Sequence, residues 1–144
     1  MRRTTLSSPS TIDLVTGETY RFTVPTAPPT ARVARDLLGV VLAGTQPPGL
    51  VDDARVCVSD AVTHMIPRTP DPIDIEVTLR GPDVWVSVGT TSSGGRVKVY
   101  EPRSVEGRRC LRIMRSLAAE SGETWTWGEG RQLVGKQVWF RLRG

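Results

Sequence analysis

The residues best equipped for chemistry are a run of arginines, two cysteines and one histidine. Arg103, Arg108, Arg109, Arg112 and Arg115 crowd into one stretch, and spacings of four and three put Arg108, Arg112 and Arg115 on one helix face. Guanidinium forks in that arrangement suit phosphate or carboxylate groups. No nucleic-acid motif accompanies them, so direct nucleic-acid binding is the least favoured use, and a solvated basic face is the commoner one. Cys57 and Cys110 are too few for a disulfide framework, and both lie in apolar-periodic segments, as small buried hydrophobes do. His64 is the single histidine and no CxxC is present, so no metal centre is expected.

These residues sit in a chain of 144 residues, 38% hydrophobic and 24% charged, which is the size and composition of one globular domain. No stretch approaches the ~20 apolar residues that span a bilayer. The net charge is +4, and the only lysines among the 19 basic residues are Lys98 and Lys136. That balance tolerates an acidic partner without selecting one. Arg2 and Arg3 are not followed by the apolar core of a signal peptide, so the expected location is cytoplasmic.

The elements that must position the chemistry follow from periodicity. Residues 1–17 are polar and read as a flexible N-terminal arm, with a short strand near Ile12–Val15; residues 18–144 read as a single domain. Tyr20–Val24 alternates as a strand, ended by Pro25, Pro28 and Pro29. Thr26 or Thr30 is suited to cap a helix running to about Ala43, with Val33, Leu37, Val40 and Val41 on one face. A second helix from about Leu50 to Ile66 carries the stripe Ala54, Cys57, Val58, Ala61, Val62 and Met65. Two alternating strands, Ile73–Leu79 and Val84–Val88, flank a turn at Gly81-Pro82-Asp83. An irregular stretch, Gly89–Arg103, leads to a third helix over about Glu106–Glu120. That helix has Cys110, Ile113, Met114 and Leu117 inward, and Gly122 as its stop. Two strands close the chain, around a Gly128-Glu129-Gly130 turn. This order predicts an α+β fold: a two-layer sandwich of a mixed, mostly antiparallel sheet, covered on one face by about three helices.

Several strings in this order resemble the anti-sigma-factor serine kinases of the GHKL ATPase superfamily (the group that includes histidine kinases and Hsp90), most closely the single-domain versions of GC-rich bacteria. Ala31–Arg35 is similar to their arginine-rich first helix. Asp52–Thr63 resembles their second helix, whose core reads S-E-L-V-T-N. Val84–Val88 resembles the strand before their first glycine box. Glu106-Gly107 with Leu111 resembles the second box. Gly135-Lys136-Gln137-Val138-Trp139 resembles their closing strand, commonly G-K-T-V-W.

The resemblance implies a nucleotide site and locates its parts. Asp60 is matched to the helix carboxylate that activates the attacking hydroxyl, and would be catalytic only in an active enzyme. His64, four positions on, is matched to the asparagine that helps hold Mg²⁺, for which an imidazole is poorly suited. Thr90 stands where an aspartate accepts the adenine amino group. Gly107 keeps one glycine of the second box, while Arg108 and Cys110 stand where glycines let backbone N–H groups approach phosphate. Arg108 and Arg109 remain able to bind phosphate through their forks. Metal ligand, adenine anchor and phosphate glycines are thus all altered. The implied protein is a degenerate member: a regulatory protein-binding module that controls transcription by sequestering a partner, with no cofactor expected and at most weak Mg-ATP binding. Its partner would be a sigma factor, an anti-sigma antagonist or a small DNA-binding regulator. The first helix and the strand at 19–24 are the contact or homodimer surface implied by analogy, with Val40, Leu42 and Leu50 as candidates if exposed. The alternative is an active Mg-ATP-dependent serine/threonine kinase, with Asp60 as base and Lys98, Arg108 and Arg109 neutralising phosphate.

Overall fold

In the computed structural model, residues 17–66, 71–91, 111–127 and 133–144 are described. They form, in chain order, β1 (Glu18–Val24), α1 (Thr30–Leu42), α2 (Pro48–Met65), β2 (Ile73–Arg80), β3 (Asp83–Thr91), α3 (Arg112–Leu117), β4 (Glu120–Trp127) and β5 (Leu133–Arg143). The fold is the expected α+β sandwich. Its sheet has the order β1-β2-β3-β5-β4. The expectation of a mixed sheet is corrected, since every pairing among the described residues is antiparallel.

Alternation decides which sheet face is covered. Ile73, Ile75, Val77 and Leu79 of β2 are buried, as are Val84, Val86 and Val88 of β3 and Val138, Phe140 and Leu142 of β5. Their neighbours Asp74, Trp85 and Arg141 stand on the opposite face. The stripe predicted for α2 lies wholly in the core, with Ala54, Cys57, Val58, Ala61 and Val62 at 0% exposure and Met65 beside them. Gly81, at φ +60°, makes the tight β2–β3 turn possible.

Around α1, three details of the sequence reading change. On α1 the core stripe is Thr30, Ala34, Leu38 and Leu42, spaced four apart. Val33 and Val40 instead face solvent, and Leu37 and Val41 are only half-buried. Packing of α1 against α2 selects this stripe over the valine-rich one. Of the three candidate contact residues, Val40 is 78% exposed while Leu42 and Leu50 are buried. Thr30 braces the loop before α1 without capping the helix, accepting from the Ala27 N–H and donating to the Pro25 carbonyl.

The third helix ends early, at Leu117, because the chain turns extended at Ala118 and the Ala119 N–H joins Arg141 O at 2.8 Å. Ile113 and Leu117, expected inward, are exposed. Gly122 is therefore not a helix stop. It lies in β4 opposite Trp139, where any Cβ would come within 2.8 Å of the indole. Gly89 and Thr90, expected in an irregular stretch, continue β3. The expected strand near Ile12–Val15, residues 92–110 and the turn at 128–130 lie outside the described residues.

Candidate functional site

The middle of α2 faces α1 on one side and α3 on the other. α1 brings Arg35, whose Nη1 donates to Ser59 Oγ at 2.9 Å. α3 brings its own backbone: the Met114 N–H donates to Asp60 Oδ2 at 3.1 Å. Met114 is the third residue of a six-residue helix whose N-cap, Leu111, offers no side-chain acceptor. Its N–H is one of the donors that a helix start leaves unmatched, and Asp60 supplies the acceptor from the neighbouring helix. Burial pushes the Asp60 carboxyl above its ordinary value, opposed by the Met114 N–H and by the nearby Arg115 guanidinium. Arg35, Val56, Ser59, Asp60, Thr63 and Ile113 line a groove of about 270 Å³. Val56 and Asp60, four apart on α2, share it.

One turn beyond Asp60 the chemistry changes. His64 is fully buried, in contact with two residues from the far end of the chain. Lys136 Nζ on β5 is 2.8 Å from His64 Nε2 and 3.0 Å from Glu123 Oε1 on β4. Lys136 is itself 1% exposed, and Glu123 Oε1 lies 3.8 Å from His64 Nε2. Thr90, opposite Lys136 in the β3–β5 register, is buried, and its hydroxyl has no hydrogen-bond partner among the described residues. His64, Lys136, Glu123 and Thr90 therefore form a polar cluster at one end of a mainly apolar core.

Three of the sequence candidates, Asp60, His64 and Thr90, fall within the described residues. Asp60 opens to the groove, while His64 belongs to the polar cluster with Lys136, and Thr90 stands beside that lysine. Gly107, Arg108, Arg109 and Lys98 lie outside the described residues. Sequence reasoning missed Glu123, and it read Lys136 only as part of the closing-strand string. A lone lysine in a strand otherwise patterned for burial was the available signal. Among the described residues no group of three His, Cys, Asp or Glu side chains is arranged to hold a metal ion. Nor, among them, is any helix long and apolar enough to cross a membrane.

No family model and no curated protein matches the chain. Among solved structures, the fold is similar to that of the RsbU and RsbW domains of Rv1364c from Mycobacterium tuberculosis, with a TM-score of 0.60 over 88% of this chain at 18% identity. The match spans 32% of that longer protein. The likeness establishes a shared α+β architecture.

Proposed function

We propose that this chain is a regulatory protein-binding module of the anti-sigma-factor kinase type, impaired in Mg-ATP chemistry. The reading rests on the sequence resemblance, to which the shared fold lends support. The observation that carries the impairment is which side chains stand at the acidic and amide positions of α2. The string S-E-L-V-T-N can be laid on α2 in two registers. With Asp60 and His64 as its acidic and amide positions, the imidazole Nε2 meets the Lys136 ammonium, which leaves no lone pair for a cation. With Val56 and Asp60, one turn earlier, Val58 matches the string and Ser59 stands for its threonine, but a valine replaces the carboxylate. Each register loses one half of the acid–amide pair. The donor set does not fit magnesium and an activated hydroxyl together.

In this reading the exposed face of α1 carries partner contact. Arg32, Val33, Asp36 and Val40 stand outward there, and an apolar pair rimmed by charges suits a protein partner. The partner is a sigma factor, an anti-sigma antagonist or a small DNA-binding regulator, and sequestering it links the module to transcription. Calorimetric titration with ATP, with and without Mg²⁺, tests the impairment. No heat is expected up to millimolar ATP. Mg²⁺-dependent binding tighter than about 100 μM would overturn the reading in favour of an active kinase.

A further inference from the structure

We propose that the seam between α2 and α3 is a docking groove for an acidic amphipathic helix of a partner protein. Two cavities follow one another along it. One, of about 270 Å³, is lined by Val56 and Asp60 of α2 and Ile113 of α3. The other, of about 370 Å³, is lined by Leu50 and Asp53 of α2 and Leu117 of α3. Asp53 precedes Val56 by three residues and Leu117 follows Ile113 by four, so each helix passes from one cavity to the next in about one turn. Val56, Ile113 and Leu117 are the exposed large apolar side chains of these two helices, and all of them line this one seam. From Leu50 to Thr63 the seam runs about 20 Å, the length of a helix of about 13 residues. Apolar anchors one turn apart suit the i, i+4, i+7 face of such a helix.

Charge decides which helix fits. On the open face of the sheet, Arg21, Arg141 and Arg143 are each held by a carboxylate of this chain, at 2.7, 2.8 and 3.1 Å. Beside the seam, Arg35, Arg112 and Arg115 make no ion pair among the described residues. Arg35 gives one N–H to Ser59 and lines the smaller cavity. Arg112 and Arg115 are exposed on α3. The seam's own carboxylates are Asp53 and Asp60, and Asp60 already accepts the Met114 N–H with Arg115 nearby. Three guanidiniums set against two carboxylates leave the rim positive. Glutamates flanking the anchors of a docked helix would supply the missing counter-charge, whereas lysines there would be repelled. Apart from Arg35, the seam lies across α2 from α1, so this contact is separable from the α1 face proposed above.

The probe is a dye-labelled amphipathic peptide of about 14 residues, with leucines at i, i+4, i+7 and i+11 and glutamates flanking them. Fluorescence anisotropy reads its binding to the whole chain. A dissociation constant of about 10–100 μM is expected, and a peptide with lysines in place of the glutamates should bind at least about tenfold more weakly. Ile113→Ser removes an anchor and Arg35→Gln removes a charge from the groove. Each should weaken binding about fivefold or more. Val40→Ser, on the α1 face, should leave it unchanged. Ile113 is exposed, so Ile113→Ser is expected to keep the native urea midpoint and report on contact alone. No saturable binding up to about 1 mM, equal affinity for the lysine peptide, or undiminished affinity in Ile113→Ser would overturn the proposal. Self-association of the chain that Ile113→Ser abolishes would assign the groove to a second copy and overturn it as well. None of these outcomes depends on nucleotide, so the titration with ATP judges the impairment separately.

Discussion

The Asp60 carboxylate on α2 accepts the Met114 backbone N–H of α3 at 3.1 Å, so the residue matched to a catalytic base also completes a helix start. The sign of its pH effect follows from burial. Its folded pKa is raised, chiefly by desolvation, above the ordinary 3.8. The contribution of this group to stability is therefore fully present below the unfolded value, and is lost as pH rises through the raised folded one. Asn at this position keeps an acceptor oxygen and sheds the desolvated charge. Asp60→Asn should then be at least as stable as the native chain in urea at neutral pH, with the difference shrinking toward about pH 4. Asp60→Ala removes the acceptor and should cost about 1 kcal/mol. A neutral-pH loss in Asp60→Asn as large as in Asp60→Ala would mean that the charge itself holds α3.

Cys57 illustrates the opposite of a reactive thiol. Burial pushes it up to about 12, with the Asp53 and Asp60 carboxylates adding to the effect. Thiolate is the nucleophile, so Cys57 should be inert at neutral pH. In a Cys110→Ser background, a chromogenic disulfide reagent at about pH 8 should find no reactive thiol until urea unfolds the chain, then one per molecule. The same shift predicts that stability is whole below the unfolded thiol value of 9.0 and declines as pH rises from there toward 12. Fast native-state labelling would contradict the burial of this side of α2.

The two faces of α1 separate stability from contact. Leu38 is fully buried against the core while Val40, two residues on, is 78% exposed. Leu38→Ala should cost about 2–4 kcal/mol by urea unfolding, as deletion of a buried leucine does. Val40→Lys should stay within about 0.5 kcal/mol of the native chain, yet weaken capture of a sigma-factor or antagonist partner. If Val40→Lys leaves partner affinity unchanged, the contact surface lies elsewhere.

How far the sequence could be read depended on whether each signal was local. The α2 stripe and the β2–β3 hairpin are written in consecutive residues, and both appear where periodicity put them. The α1 face was misjudged because its valines and leucines allow two stripes, and only packing against α2 selects Leu38 and Leu42. Asp60 was legible as a site residue, but the backbone donor that holds it belongs to a helix far along the chain. The polar cluster was hidden for the same reason. His64, Glu123 and Lys136 lie on three elements, and β4 lends Glu123 to a site at the end of α2 only once the sheet order is known. Nothing in the local pattern distinguishes that glutamate from a solvated one.

Gly122 gives the sharpest case of one residue type serving two ends. A glycine after an apolar-periodic stretch is the ordinary signature of a helix stop, yet here it lies mid-strand because of Trp139 on β5. A Cβ at the glycine would meet the indole's ring atoms at 2.8–2.9 Å. Trp139 has little freedom to yield. Its ring centroid is 5.8 Å from that of Trp85, and the Arg141 guanidinium lies 5.7 Å from the Trp85 ring. Arg141 is in turn held by Glu120 at 2.8 Å, in the same strand as Gly122. A methyl group at 122 must therefore displace the indole and disturb this aromatic–cation stack, at a cost of about 1–3 kcal/mol. Gly122→Ala should lower stability by that amount and alter the near-ultraviolet dichroism of the tryptophans. The double variant Gly122→Ala with Trp139→Val should recover part of the loss relative to the sum of the single changes. Additive losses would mean that the glycine is needed for its backbone alone.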